Sequence, residues 1–371
     1  MRRGVLAIVA LAVTAVALAS GSSSPQDATT TAAAPIRQAA ACPGPRAAFA
    51  ARDWPPGCWR PYSAQSPFNR LVPSRPRLLP GSAQIVETLT GWGRPQKLLA
   101  GHADTRNDYF HPVYWSQPGD PVFKIDCVRF HGCPVDGHSI RIPDEARAAG
   151  GGDGHMAVID VRSGYEYDFW QVRKKPRGGG RLVVSHGGRT RIDGSGLGSN
   201  ATAAWFGLAA GMLRAAEVDA GKVNHALFAV MKCSSGKSVY PARRGTAGAS
   251  CSRLGVAGAK PPPLGARIWL DIPPAQIAKL PIPGWRKAVL VAMNRYGMIV
   301  GDTTNGNASW GLVAESGSTF TSFGERDPWS SLGATVSPSL TSSGYVLSLE
   351  AGFDWADHFH ILDPCVSRGR C

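Results

Sequence analysis

Eight cysteines fall in four close pairs along the chain: Cys42 and Cys58, Cys127 and Cys133, Cys233 and Cys251, Cys365 and Cys371. An even set in an exported chain reads as a disulfide framework. Sequence alone does not fix connectivity, but this grouping suggests four local staples. Such staples require short loops at four places and an oxidising compartment. Zinc is the weaker alternative: no C-x-x-C pair occurs, and the histidines lack zinc-finger spacing.

The N-terminus agrees with export. Arg2 and Arg3 precede an apolar run from Val5 to Ala19, and Ala17-Leu18-Ala19 has the A-x-A form of a cleavage site. Residues 1–19 therefore read as a secretory signal peptide and predict a secreted protein. The run falls short of the roughly 20 residues that a membrane span needs, and no stable membrane insertion is expected. Residues 20–41 are small, polar and Pro-containing, a disordered linker that cannot bury enough apolar surface to fold. Residues 42–371 remain, read as one domain.

Along that domain, periodicity is mostly of the strand type. Segments 120–130 and 137–143 alternate apolar and polar residues, 155–161 and 165–173 read as strands joined by a turn at 162–164, RLVVSHGG (181–188) and TRIDG (190–194) are expected to continue the sheet, and 224–233, 266–272, 298–303, 345–351 and 358–362 are further strand candidates. Helical spacing is clearest at 199–218, where Ser199 or Asn200 can cap and Trp205, Leu208, Ala209, Met212 and Leu213 recur; shorter helices are expected near 273–280 and 285–297. About ten strands, arriving in runs, predict a mainly β fold. The expected class is a β-sandwich or jelly roll with two or three inserted helices.

The hairpin at 153–172, DGHMAVIDVRSGYEYDFWQV, carries the chemistry. If Ile159 pairs with Glu166, then Ala157 pairs with Asp168 and His155 with Trp170. One face is then Tyr165, Tyr167 and Phe169 with Met156 and Val158, suited to a core. The other presents Glu166, Asp168, His155 and Trp170. Two carboxylates are costly on a buried face, so that face is expected to open into a concave groove. There, paired acids raise one pKa, as a general acid requires, and an indole offers a flat plate for a sugar ring. Asp153 precedes the strand, and Arg191 and Asp193 are expected to line the same cleft.

The strand Glu166-Tyr-Asp168-Phe-Trp-Gln171 resembles the E-x-D-x-x-E strand of family 16 glycoside hydrolases, secreted jelly rolls acting on β-glucans and galactans. The resemblance implies Glu166 as nucleophile and Asp168 as its helper. Gln171 stands where that family has its acid/base glutamate, so the proton donor would have to be His155 or Asp153. The expected function is therefore hydrolysis of an extracellular polysaccharide. A polysaccharide lyase acting on an acidic glycan is the second reading. It would use His155 as base, Tyr165 or Tyr167 as acid and Gln171 against a uronate, and needs a bulge to bring Gln171 round. A glycan- or wall-binding protein without turnover is the third.

The formal net charge of +14 suits an anionic polymer. Its clusters are Arg173, Lys174, Lys175, Arg177 and Arg181, then Arg243 and Arg244, and a solvated loop explains the first equally well. No nucleic-acid partner is expected. A metal at His358 and His360, a phosphate at the glycines before 199 and a lone ligand at His225 are each weaker readings than structural ones. His111, Tyr114, Trp115 and Trp310 are further stacking candidates. No G-x-S-x-G elbow occurs, and no cofactor is expected.

Overall fold

The β-rich reading holds in a computed structural model that describes residues 41–92, 97–100, 108–129, 133–199, 201–243, 248–306, 311–330, 339–341 and 344–371. The signal peptide and most of the linker, together with Asn200, Arg244 and Trp310, lie outside the described residues. Residues Cys42–Cys371 form one compact unit.

Its strands are β1 (Lys97–Ala100), β2 (Val113–Trp115), β3 (Val122–Cys127), β4 (Ser139–Arg141), β5 (Met156–Asp160), β6 (Tyr165–Lys174), β7 (Gly180–Arg191), β8 (Leu227–Met231), β9 (Arg267–Leu270), β10 (Met298–Thr303), β11 (Gly311–Leu312), β12 (Ser339–Thr341), β13 (Gly344–Ser348) and β14 (Phe359–Leu362). The helices are short: α1 (Ser82–Gly91), α2 (Ala215–Asp219), α3 (Pro274–Ile277), α4 (Gly284–Arg295), α5 (Ser318–Thr321), α6 (Trp355–His358) and α7 (Pro364–Arg368). The strands form an eight-stranded sheet, β12-β13-β1-β11-β8-β10-β9-β14, and a six-stranded sheet, β2-β5-β6-β7-β3-β4. Both are mixed: β1–β11, β8–β10, β2–β5 and β3–β7 run parallel. A jelly roll is wound from antiparallel strands, so these ladders support two mixed sheets and not that finer class.

All four cysteine pairs close locally, as the spacing suggested, and no free cysteine is found among the described residues. The hairpin keeps the expected register, with Ile159 opposite Glu166 and Ala157 opposite Asp168. Gly164 adopts φ +75° in its turn, where its amide reaches back to the Asp160 carbonyl at 2.9 Å. The segments read as RLVVSHGG and TRIDG fuse into the single long strand β7.

The six-stranded sheet is buried on both faces at β5, whereas at β3 the second face, with Val122 and Lys124, is exposed. Phe123, Ile125, Met156, Val158, Tyr167, Phe169, Leu182 and Val184 pack on one side under Val135, Ile140 and Ile142. Ala157 and Ile159 pack on the other into the main core, with Leu227, Phe228 and Ala229 of β8 and Ile268 of β9. The all-buried pattern of β5 follows from this double cover.

The helix expected over 199–218 is overturned. Only Ala215–Asp219 is helical, and residues 201–213 form turns threaded through the core. Backbone geometry gives the reason. Trp205 has φ +63° and Gly211 φ +72°, both incompatible with an α-helix. A Cβ on Gly211 would stand 2.8 Å from the Phe228 amide nitrogen, and one on Gly207 would stand 2.3 Å from the Tyr62 hydroxyl. The small residues serve close approach. Helix α4 forms where expected; Gly297, at φ +74°, follows it and donates to the Ala292 carbonyl.

Candidate functional site

The hairpin acids do not face an open groove. Glu166 and Asp168 are both fully buried, beneath the 206–209 turn and Tyr62. Glu166 Oε2 accepts from the Tyr62 hydroxyl at 2.5 Å and Oε1 from the Ala209 amide at 2.8 Å. Asp168 Oδ1 accepts from the Leu208 amide at 3.1 Å. Burial, opposed by hydrogen bonds that include Tyr62 and the Ala209 amide, raises the Glu166 pKa; burial and then the neighbouring Glu166 charge drive Asp168 well above its ordinary range. The Tyr62 hydroxyl is raised as well, first by burial and then by the two acids. The desolvation cost that favoured an exposed face is met differently: the acids accept amides that would otherwise be orphaned in the core.

His155 is likewise buried, against the His111 ring at 4.9 Å between centroids. Burial lowers its pKa, against the upward pull of Asp153 and the carbonyls of Tyr109 and Ala201. His111 is pushed down to about 3 by burial and by His155, and its Nδ1 lies 2.7 Å from the Leu208 carbonyl.

The remaining sequence candidates divide between the two ends of β6. Trp170 donates from Nε1 to Asp153 Oδ1 at 2.9 Å, and the Arg129 guanidinium lies 5.3 Å from its ring. Gln171 adopts φ +53°, and the β6–β7 register shifts just beyond it. Its amide is spent locally, on the Ser185 hydroxyl at 2.7 Å and the Gly152 carbonyl at 3.2 Å. Arg191 and Asp193 pair through two 3.0 Å contacts at the far end, beside Tyr165. At about 3.3 Å per residue, Tyr165 and Trp170 stand roughly 16 Å apart along the strand, so no single cleft gathers these groups. Tyr167 is buried in the opposite core and Tyr165 lies under Arg189. Of the other stacking candidates, Tyr114 and Trp115 are buried.

The basic cluster is dispersed into local contacts. Arg181 pairs with Asp126, Lys175 Nζ donates to the Asp144 carbonyl at 2.8 Å, and Arg173 Nε donates to Ser185 Oγ at 2.7 Å. His358 closes α6 while His360 lies on β14, so the two do not share a strand face. Groups of three or more His, Cys, Asp or Glu able to hold a metal are absent among the described residues.

A cavity the sequence did not announce lies elsewhere. It measures about 510 Å³ and is lined by Trp54, Arg214, Asp219, Glu315, Phe320 and Trp329, among others. Trp54 and Phe320 are half-buried, with ring centroids 4.8 Å apart and planes inclined at 35°. Trp329 is fully buried and fixed by a 2.8 Å bond from Nε1 to the Glu315 carbonyl.

Behind these rings runs a buried ionic ladder. Arg214 Nη2 donates to Glu217 Oε1 at 3.1 Å and to the Trp59 carbonyl at 2.6 Å; His225 Nε2 meets the same Glu217 oxygen at 3.0 Å. His225 is therefore hydrogen-bonded within the core, in keeping with the structural reading its sequence context favoured. Arg214 Nε has no hydrogen-bond partner among the described residues. Burial favours neutral Glu217, yet Arg214 and His225 hold its carboxyl below the ordinary value. Glu315 goes the other way, raised by burial to about 7 despite Arg214. The lining comes from residues 54–55, 214–219 and 315–329, segments far apart in sequence and without shared periodicity. The legible signal was limited to aromatic residues beside Pro in non-periodic stretches, such as Asp53-Trp54-Pro55 and Asp327-Pro328-Trp329.

Comparison of the chain with protein-family models, curated proteins and solved structures finds no match in any of the three.

Proposed function

We propose that this is an exported saccharide-binding protein whose recognition site is the Trp54–Trp329 cavity, and that it holds an extracellular glycan without cleaving it. The observation that carries this reading is the cavity itself: about 510 Å³, walled by Trp54, Phe320 and Trp329, with Arg214 and Glu315 at its polar side. Cavities of a few hundred Å³ with apolar walls and a few placed polar groups are the usual form of small-ligand sites. Aromatic plates match the C–H faces of a pyranose, and a guanidinium with a carboxyl group supplies donors and acceptors for hydroxyls. Four disulfides support an oxidising, extracellular setting.

Binding is favoured over hydrolysis because the hairpin acids are sealed in the core. Turnover at Glu166 and Asp168 requires the 206–209 turn to leave, with loss of its amide contacts to both carboxylates. The test is a panel of soluble oligosaccharides read by tryptophan fluorescence, alongside insoluble polysaccharides read by co-sedimentation. Saturable binding that Trp54→Ala abolishes supports the proposal. Absence of binding across neutral and acidic glycans removes it. Release of reducing ends selects hydrolysis, and a new absorbance from an unsaturated product selects elimination.

A further inference from the structure

On the outer face of the eight-stranded sheet, away from the cavity, a guanidinium is buried without a counter-charge among the described residues. Arg267 lies in β9 between β10 and β14, opposite Ile299 and Leu362. Its neighbour Ile268 enters the main core, so by strand alternation Arg267 points to the other face, with Trp269. It is 1% exposed. Nη2 donates to the Pro67 carbonyl, while Nε and Nη1 have no partner among the described residues.

The groups that act on Arg267 are Arg70, which repels it, and the Tyr240 phenol; no carboxylate is among them. Burial, then Arg70, pushes its pKa down to about 9. Arg70 donates from Nη2 to the Gln65 carbonyl at 3.0 Å, and its buried Nε is also without a partner among the described residues. The Arg368 guanidinium stands 4.3 Å from the Tyr240 ring. Arg70 and Tyr240 are half-buried and Arg368 is exposed, so the cluster lies close to the protein surface.

A buried cation normally has an anion or a full set of hydrogen bonds, because its desolvation is otherwise uncompensated. Here two neighbouring guanidiniums leave three nitrogens without acceptors, and a third lies at the rim. Guanidinium forks match tetrahedral oxyanions in charge and geometry. We propose that Arg267 and Arg70, with Arg368 at the mouth, form a binding site for a phosphate-type oxyanion, either free or carried on a polymer. The site is independent of the glycan cavity.

The experiment uses the full chain. Thermal melting is followed with inorganic phosphate, sulfate, glycerol phosphate or a glycerol-phosphate polymer, each against chloride at matched ionic strength. Equilibrium dialysis with inorganic phosphate provides a second readout. Wild type is expected to show a saturable rise of several degrees with phosphate or sulfate, as binding to the folded state requires. Arg267→Met should melt higher than wild type in chloride, because an apolar side chain replaces a lone charge, and should no longer respond to phosphate. Arg70→Gln leaves the core arginine in place and should weaken phosphate binding about tenfold, the loss of one charge-assisted contact. It serves as the test if the Met variant does not fold. Response to inorganic phosphate assigns a free-anion site, and response to the polymer alone assigns a polymer-borne one. No response to any of the probes, or a wild-type response in Arg70→Gln, overturns the proposal.

Discussion

The Tyr62 hydroxyl donates to Glu166 Oε2 at 2.5 Å across 104 residues of sequence, and both side chains are closed off from solvent. This bond joins the extended 58–73 segment to the middle of β6. The same carboxylate holds the Ala209 amide, so one side chain ties three segments together. Removing one partner leaves the others buried and unsatisfied. Tyr62→Phe and Glu166→Gln are each expected to destabilise the fold by about 1–3 kcal/mol. The double variant should cost less than the sum of the two. Urea unfolding of the two single variants and the double variant measures the coupling. If Glu166→Gln keeps wild-type stability, the carboxylate is not the structural clamp described.

The turn at 201–213 gives a prediction whose sign separates two structures. In a helix, replacing Gly211 by alanine would stabilise by about 1 kcal/mol. In the observed turn Gly211 has φ +72°, and an added Cβ meets the Phe228 backbone nitrogen at 2.8 Å. Gly211→Ala should therefore destabilise, by more than about 1 kcal/mol. The direction of the shift in a denaturant midpoint decides between them.

These two cases also show what the sequence could convey. Strand-type patterning found β3 to β6 and the two halves of β7, and the acid–apolar pattern of the hairpin matched its register to the residue. Cysteine spacing gave the disulfides because each loop is short. What failed was the inference from polarity to exposure. Glu166 and Asp168 looked incompatible with a core, but their acceptors satisfy amides 40 and 43 residues away, at Leu208 and Ala209. Nothing local encodes such a contact. The 199–218 pattern failed for a related reason: small residues at helical spacing also suit a chain threaded tightly between β6 and β8, and Gly207 and Gly211 are required there by contacts with Tyr62 and Phe228. The cavity was illegible because its walls meet only in three dimensions.

Loop length orders the cost of losing the disulfides. Cys233–Cys251 spans 18 residues and Cys365–Cys371 spans 6. Loop-closure entropy assigns about 3 kcal/mol to the first and about 2 kcal/mol to the second. Double replacement by serine should lower stability in that order, checked by thermal unfolding at one pH. The reverse order would mean that native contacts, not chain entropy, dominate these staples.

Buried Glu315 predicts a slope of stability with pH. Its pKa rises from an ordinary 4.5 to about 7 on folding, first because of burial. Between those values the folded chain binds more protons than the unfolded chain, so stability falls as pH rises. The contribution is fully present below pH 4.5 and is lost as pH passes about 7, for a total of about 3 kcal/mol. Glu217 acts with the opposite sign, since Arg214 and His225 hold its pKa down, and its contribution is lost as pH falls through that lowered value. Comparing wild type with Glu315→Gln cancels background titration shared by both chains. The stability difference between them should change by up to about 3 kcal/mol from pH 4 to pH 8, with wild type losing more on the alkaline side. Urea midpoints at five pH values suffice. Parallel curves would show that Glu315 ionises in the folded chain as freely as in the unfolded one, and would place its carboxyl in contact with bulk water.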